Sequence, residues 1–204
     1  MLNIDNIINF VLKNDLKYPG SHQFSSERTN KTAPILTPEA QLKLIWKEFN
    51  IYLENRLLNF ESIKIPNFGT FIFTNNNLIN TFSNKKFTES FNDFNSLYVA
   101  KLIFQIDFIY QSILKYFPDE KIKKKIMQPI EYFEPKKVIN WNPYIISKKC
   151  FMNEIVVRDG INSIFQAIFD LVKCGKNLEF NLGFFKFKFN NRIVNYTKDN
   201  IFGL

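Results

Sequence analysis

The chain has 204 residues, a formal net charge of +8 and 46% hydrophobic residues, enough for one large or two small domains with a proper core. It has one histidine and two cysteines, Cys150 and Cys174, set far apart with no CxxC, so no zinc site can be composed from that set. Phe, Asn, Lys and Ile are abundant, the set that AT-rich codons favour, so the Asn content is no sign of a prion-like segment.

The charge is uneven. Residues 136–204 hold 11 Lys and Arg against 5 Asp and Glu, a balance of +6, whereas residues 31–90 hold 7 against 5, or +2. A basic second half suits an acidic partner: nucleic acid, an anionic surface or an acidic protein polymer. Residues 1–11 carry Asp5 and no basic leader, which argues against a signal peptide. Residues 98–117 form the most apolar later stretch, broken by Lys101, Gln105, Asp107 and Lys115, and this is too polar to span a bilayer. The expectation is a soluble intracellular protein with no membrane insertion.

In chain order, residues 2–16 place Ile4, Ile7, Ile8, Val11 and Leu12 on one helical stripe, with Asn3 or Asp5 as cap. Residues 18–33 have little to bury and read as a tether. Thr37-Pro38-Glu39 opens a long helix: Thr37 can accept from orphan amides, Pro38 suits the first helical position and Glu39 favours the positive end of the dipole. Leu42, Ile45, Trp46, Phe49, Leu53 and Leu57 form its apolar stripe, and it should end near Asn59.

Ile63-Lys64-Ile65-Pro66-Asn67-Phe68-Gly69-Thr70-Phe71-Ile72-Phe73 follows, and an altered copy stands at Leu178-Glu179-Phe180-Asn181-Leu182-Gly183-Phe184-Phe185-Lys186-Phe187. Both reduce to Asn-(Phe/Leu)-Gly-x-Phe-x-Phe. Phe71 and Phe73 share one strand face, as do Phe185 and Phe187, while the glycine permits a bend or bulge. Pro66, Gly69, Phe71, Phe73, Gly183, Phe185 and Phe187 are therefore the expected fold-defining residues, with each phenylalanine ladder covered by the helix before it.

After the first copy, Thr74-Asn75-Asn76-Asn77 offers a turn, and residues 78–82 are expected to return beside the strand. Residues 96–116 read as a second helix carrying Leu97, Ala100, Phe104, Phe108 and Ile109. Lys121–125 reads as a wet helical face, and Pro129 and Pro135 mark a linker. Asn142-Pro143 opens a short helix over residues 144–149. Asn153-Glu154 opens a longer one ending at Cys174-Gly175, with Gly160 hinting at close helix packing. Asn190-Asn191 turns into a last strand at residues 192–196. The resulting plan is an N-terminal helix and tether (1–34), a first unit (35–95), a helical connector (96–136) and a second unit (137–204).

Two helices followed by a bent strand with a Gly-x-Phe corner and a hairpin resemble the bacterial HU/IHF fold. Leu36-Thr37-Pro38-Glu39 with Ile45-Trp46 and the Ile65–Phe73 stretch is similar to the first HU-like domain of the coiled-coil-domain-containing protein 81 family. Asn142-Pro143-Tyr144-Ile145-Ile146-Ser147, then Leu178-Glu179-Phe180, Gly183 and Asn195-Tyr196-Thr197-Lys198-Asp199, is similar to that family's second HU-like domain. The resemblance implies an α+β fold of tandem HU/IHF-like domains, each with helices packed on a small bent antiparallel sheet. It also implies a eukaryotic cytoskeletal protein of the centrosome and cilium that is not an enzyme and takes no cofactor. The expected role is a microtubule-associated scaffold of the ciliary axoneme or basal body, with the tubulin lattice and other axonemal proteins as partners. Lys173, Lys176, Lys186, Lys188, Arg192 and Lys198 are the candidate contacts for that acidic partner.

The alternative is HU-like nucleic-acid binding. That activity uses a long basic β-arm with a proline wedge. The hairpins expected at residues 74–82 and 189–196 are short, lack proline, and between them hold only Arg192 as a basic residue. No Ser-His-Asp set, phosphate loop or metal-ligand spacing is present, and Asp107, Glu120 and Glu131 are scattered.

Overall fold

The computed structural model describes residues 1–14, 36–75, 100–114 and 138–198. The readings made for residues 18–33, 78–82, 121–125 and the prolines at 129 and 135 lie outside the described residues. Each half begins with a short helix and a long one. In the first half these are α1 (Ile4–Lys13) and α2 (Pro38–Leu58), followed by β1 (Ser62–Ile65), β2 (Gly69–Asn75), β3 (Ala100–Ile106) and the short α3 (Phe108–Gln111). In the second they are α4 (Pro143–Cys150) and α5 (Glu154–Lys173), preceded by β4 (Val138–Asn140) and followed by β5 (Leu178–Leu182), β6 (Phe185–Asn190) and β7 (Ile193–Lys198).

Local chemistry sets most helix ends. Asn3 and Asn6 form a reciprocal capping box on α1, Thr37 accepts from the Ala40 amide at 3.3 Å, and Asn142 and Asn153 accept from Tyr144 and Ile155. Both long helices close with the same pair of bonds. Gly175 and Lys176 donate to the carbonyls of Val172 and Leu171, and Phe60 and Glu61 donate to those of Leu57 and Arg56. The motif needs a left-handed residue, which is Gly175 at φ +73° in one copy and Phe60 at φ +57° in the other. Phe60 adopts that backbone with its ring packed on Phe73 at 5.4 Å.

The sheets are ordered β3-β2-β1-β4 and β5-β6-β7. The helix read over residues 96–116 is corrected. Residues 100–106 are a strand paired antiparallel to β2 from Gly69↔Ile106 to Asn75↔Ala100, and only Phe108–Gln111 is helical. Leu102, Phe104 and Ile106 alternate inward and are buried, so a period of two wins over the helical spacing of Phe104 and Phe108, and Phe108 is 78% exposed.

The halves exchange their leading strands. β4, which precedes α4, adds to the first sheet by parallel pairing with β1 (Ser62↔Val138, Ile63↔Ile139, Lys64↔Asn140). Leu2, which precedes α1, adds to the second sheet by a parallel bridge to Leu178. The helices follow the strands: α1 packs on α5 as well as α2, and α4 on α2 as well as α5. One continuous hydrophobic core results, running from Ile7 to Val194.

That core also corrects the expected covering of the phenylalanine ladders. Phe71 lies 4.9 Å from Phe185, Phe68 lies 5.2 Å from Phe187 and Phe104 lies 4.8 Å from Phe187. The two ladders cover each other across the halves, with the helices adding Phe165 against Phe68 and Trp46 against Phe180. Phe71, Phe73, Phe185 and Phe187 are all buried, as their role in the core requires.

The two corner glycines serve different ends. In the first hairpin Phe68 donates to Ile65 across a turn with Pro66 first and Asn67 second, and Asn67 carries the positive φ of 59°. Gly69 is instead needed for space: a Cβ there would sit 2.5 Å from the Gln105 carbonyl and from Cζ of Phe104. In the second hairpin Gly183 itself takes φ +56°, the first position of a two-residue turn between Leu182 and Phe185.

Candidate partner-binding surfaces

The basic residues of the second half do not form a single free cluster. Lys186 and Lys188 alternate on the outer face of β6, and both pair with Glu179 on β5, Lys188 at 3.1 Å. The Glu179 carboxyl is held below its usual range, first by its hydrogen bond to Lys186 and then by that to Lys188. Arg192 occupies the second position of the tight β6–β7 turn, where Asn191 and Arg192 have φ of 47° and 65°. Its guanidinium donates to the Lys173 carbonyl at 2.6 Å, so it closes the C-terminus of α5. The Lys173 and Lys176 side chains are exposed at that same helix end, and Lys198 ends β7 opposite Phe185. Sequence spacing identified these residues as basic and near one another; it gave no sign that Glu179 or a helix carbonyl engages three of them.

The β6–β7 hairpin is too short to serve as a DNA-bending arm. The β6–β7 connection is two residues long. β3 lies antiparallel beside β2, and residues 76–99 connect the two strands, a longer link than the short first hairpin expected from the sequence. That connecting sequence holds Lys85 and Lys86 against Glu89 and Asp93, with no arginine or proline.

A cleft of about 530 Å³ lies where the two halves meet. Trp46 and Ile51 of α2 and Phe180 of β5 supply apolar wall; Lys47 and Lys186 supply charge; Asn181 lines the strand side. Asn50 fixes this corner, its amide group donating to the Trp46 carbonyl at 2.8 Å and its Oδ1 accepting from the Gly183 amide at 2.7 Å. No motif flagged the cleft, because its walls come from positions more than a hundred residues apart.

Among the described residues no group of three His, Cys, Asp or Glu is placed to hold a metal ion, and Asp107 caps α3 through the Phe108 amide. Burial, with Glu48 nearby, pushes the Cys150 thiol up to about 12, which makes it a packing group rather than a nucleophile. Among the described residues, no helix is long and apolar enough to cross a membrane.

The family model described as CCDC81 eukaryotic HU domain 1 matches residues 19–125, and that described as CCDC81 eukaryotic HU domain 2 matches residues 137–202. No curated protein matches the chain.

Proposed function

Because the chain belongs to the CCDC81 family of paired eukaryotic HU domains, we propose that it is a structural, non-enzymatic microtubule-associated protein of the ciliary axoneme or basal body. Its partners in this reading are the tubulin lattice and neighbouring axonemal proteins. The order of the two domain matches carries the proposal, since it repeats the architecture that the sequence resemblance links to the cytoskeleton. Two features support it. The +6 balance of residues 136–204 suits an acidic polymer surface. The short β6–β7 turn and the uncharged balance of residues 76–99 are poor equipment for bending DNA.

The test reverses Lys173, Lys176, Lys188 and Lys198 together and measures co-sedimentation with microtubules at low and moderate salt. Arg192 is left alone because it closes α5. Exposed charge pairs contribute about 0–1 kcal/mol each, so the group matters rather than any one lysine. Reduced pelleting at low salt, with unchanged circular dichroism, is expected. Equal pelleting of mutant and wild type at both salt levels rejects electrostatic attachment. A tagged copy found in the nucleus and absent from cilia and basal bodies rejects the assignment itself.

A further inference from the structure

Among the described residues, the edge of β5 is only partly used. Leu182 and Phe185 flank a two-residue turn, so they are a hydrogen-bonded pair, and alternation along the antiparallel ladder turns the backbone of Asn177, Glu179 and Asn181 away from β6. Leu2 confirms the direction: its N–H donates to the Asn177 carbonyl and its carbonyl accepts from the Glu179 amide, both at 2.8 Å. The chain then enters α1 at Ile4. The Glu179 carbonyl and both backbone groups of Asn181 are left without a backbone partner among the described residues, and these two residues line the cleft. On the matching edge of β1, β4 runs on for three pairs and Trp141 then donates to the Lys64 carbonyl at 3.4 Å. The first sheet is completed by a strand at the place where the second has a cleft.

We propose that this cleft is a docking site for a short extended acidic segment of a partner protein, which adds to β5 in line with Leu2. The segment's backbone carbonyl accepts from the Asn181 amide and its N–H donates to the Glu179 carbonyl. Side chains alternate along a strand, so one packs against Trp46, Ile51 and Phe180 while the next extends toward Lys47 and Lys186. The charge there favours a carboxylate: Lys47 and Lys186 stand against Glu179 alone on these walls, and Glu179 is already shared between Lys186 and Lys188. Leu2 already occupies the neighbouring part of this edge in the same parallel sense.

The test uses the full chain, labelled with ¹⁵N, and a capped hexapeptide of alternating Glu and Val. The controls are the same peptide N-methylated at alternate residues and one with Lys in place of Glu. Saturable amide shifts at Glu179 and Asn181 and at the Trp46 indole are expected, with slowed exchange of the Asn181 amide. N-methylation and the lysine peptide should each weaken binding at least tenfold. Asn181→Pro removes the outward donor and none from the ladder to β6, which an edge strand tolerates, so it should abolish binding while the circular dichroism persists. Should that variant unfold, the N-methylated peptide decides the matter alone. Absence of saturable shifts in the cleft, equal binding of the N-methylated peptide, or equal binding of the lysine peptide would overturn the proposal. No microtubules are present, so failure here leaves the lattice reading standing, and loss of pelleting leaves this one.

Discussion

Gly69 and Gly183 occupy the same place in the repeated motif, yet alanine should report different physics at each. At Gly69 the new Cβ meets backbone at 2.5 Å, so Gly69→Ala should cost about 3 kcal/mol or more, the upper end of overpacking. At Gly183 the new Cβ finds Leu53 at an ordinary 3.6 Å, and only the left-handed backbone opposes it, a cost of about 1–2 kcal/mol. Denaturant midpoints of the two variants check the order; the reverse order would show that the Phe104 ring and the Gln105 carbonyl yield easily. The Glu179 carboxylate gives a second residue-scale prediction. Its folded pKa is depressed, so its ion pairs contribute stability above its ordinary carboxylate range and lose it as pH falls through the folded value. Glu179→Gln should therefore flatten the acid limb of the stability curve and change the alkaline side little. An unchanged acid limb would mean that the two lysines are solvated rather than paired.

At the scale of elements, what was legible followed from short-range chemistry. Thr37-Pro38, Asn142-Pro143, Asn153 and Gly175 announce helix ends because a cap needs only its own neighbours. β3 was hidden because Leu97, Ala100, Phe104 and Phe108 satisfy helical spacing within the window, and what selects the strand is pairing with β2 across residues 76–99. The cleft was hidden for the same reason, since Leu2 meets Leu178 only in the folded chain. The ladder contact between sheets is testable as a coupling. Phe71→Ala and Phe185→Ala should each cost about 3–5 kcal/mol. With rings 4.9 Å apart, the double mutant should depart from additivity by about 0.5–3 kcal/mol. Strict additivity would mean that each ladder is held by its own helix, as the sequence alone suggested.

For the whole molecule, exchange of leading strands and helices makes each half depend on the other. Separation would expose Phe68, Phe71 and Phe104 on one side and Phe180, Phe185 and Phe187 on the other. A specific protease site placed within residues 115–137 should give two fragments that stay together after cutting and unfold in one transition. Once parted in denaturant, neither should regain cooperative unfolding until they are mixed. Independent folding of the 138–204 fragment would show that β5–β7 and its helices suffice alone. The reading as tandem HU-like domains holds at the level of sequence order and family match, while the packing joins their cores into one.

The reciprocal embrace also changes what mutation can reach. Two identical chains related by a twofold axis receive every substitution twice, so a useful change on one side must be tolerable on the other. Here both sides are encoded separately, and they have already parted: β4 runs for three pairs where Leu2 makes one bridge, Gly183 bends where Asn67 does, and the positive charge has gathered in one half. A body built from two such halves can in this way acquire a front and a back.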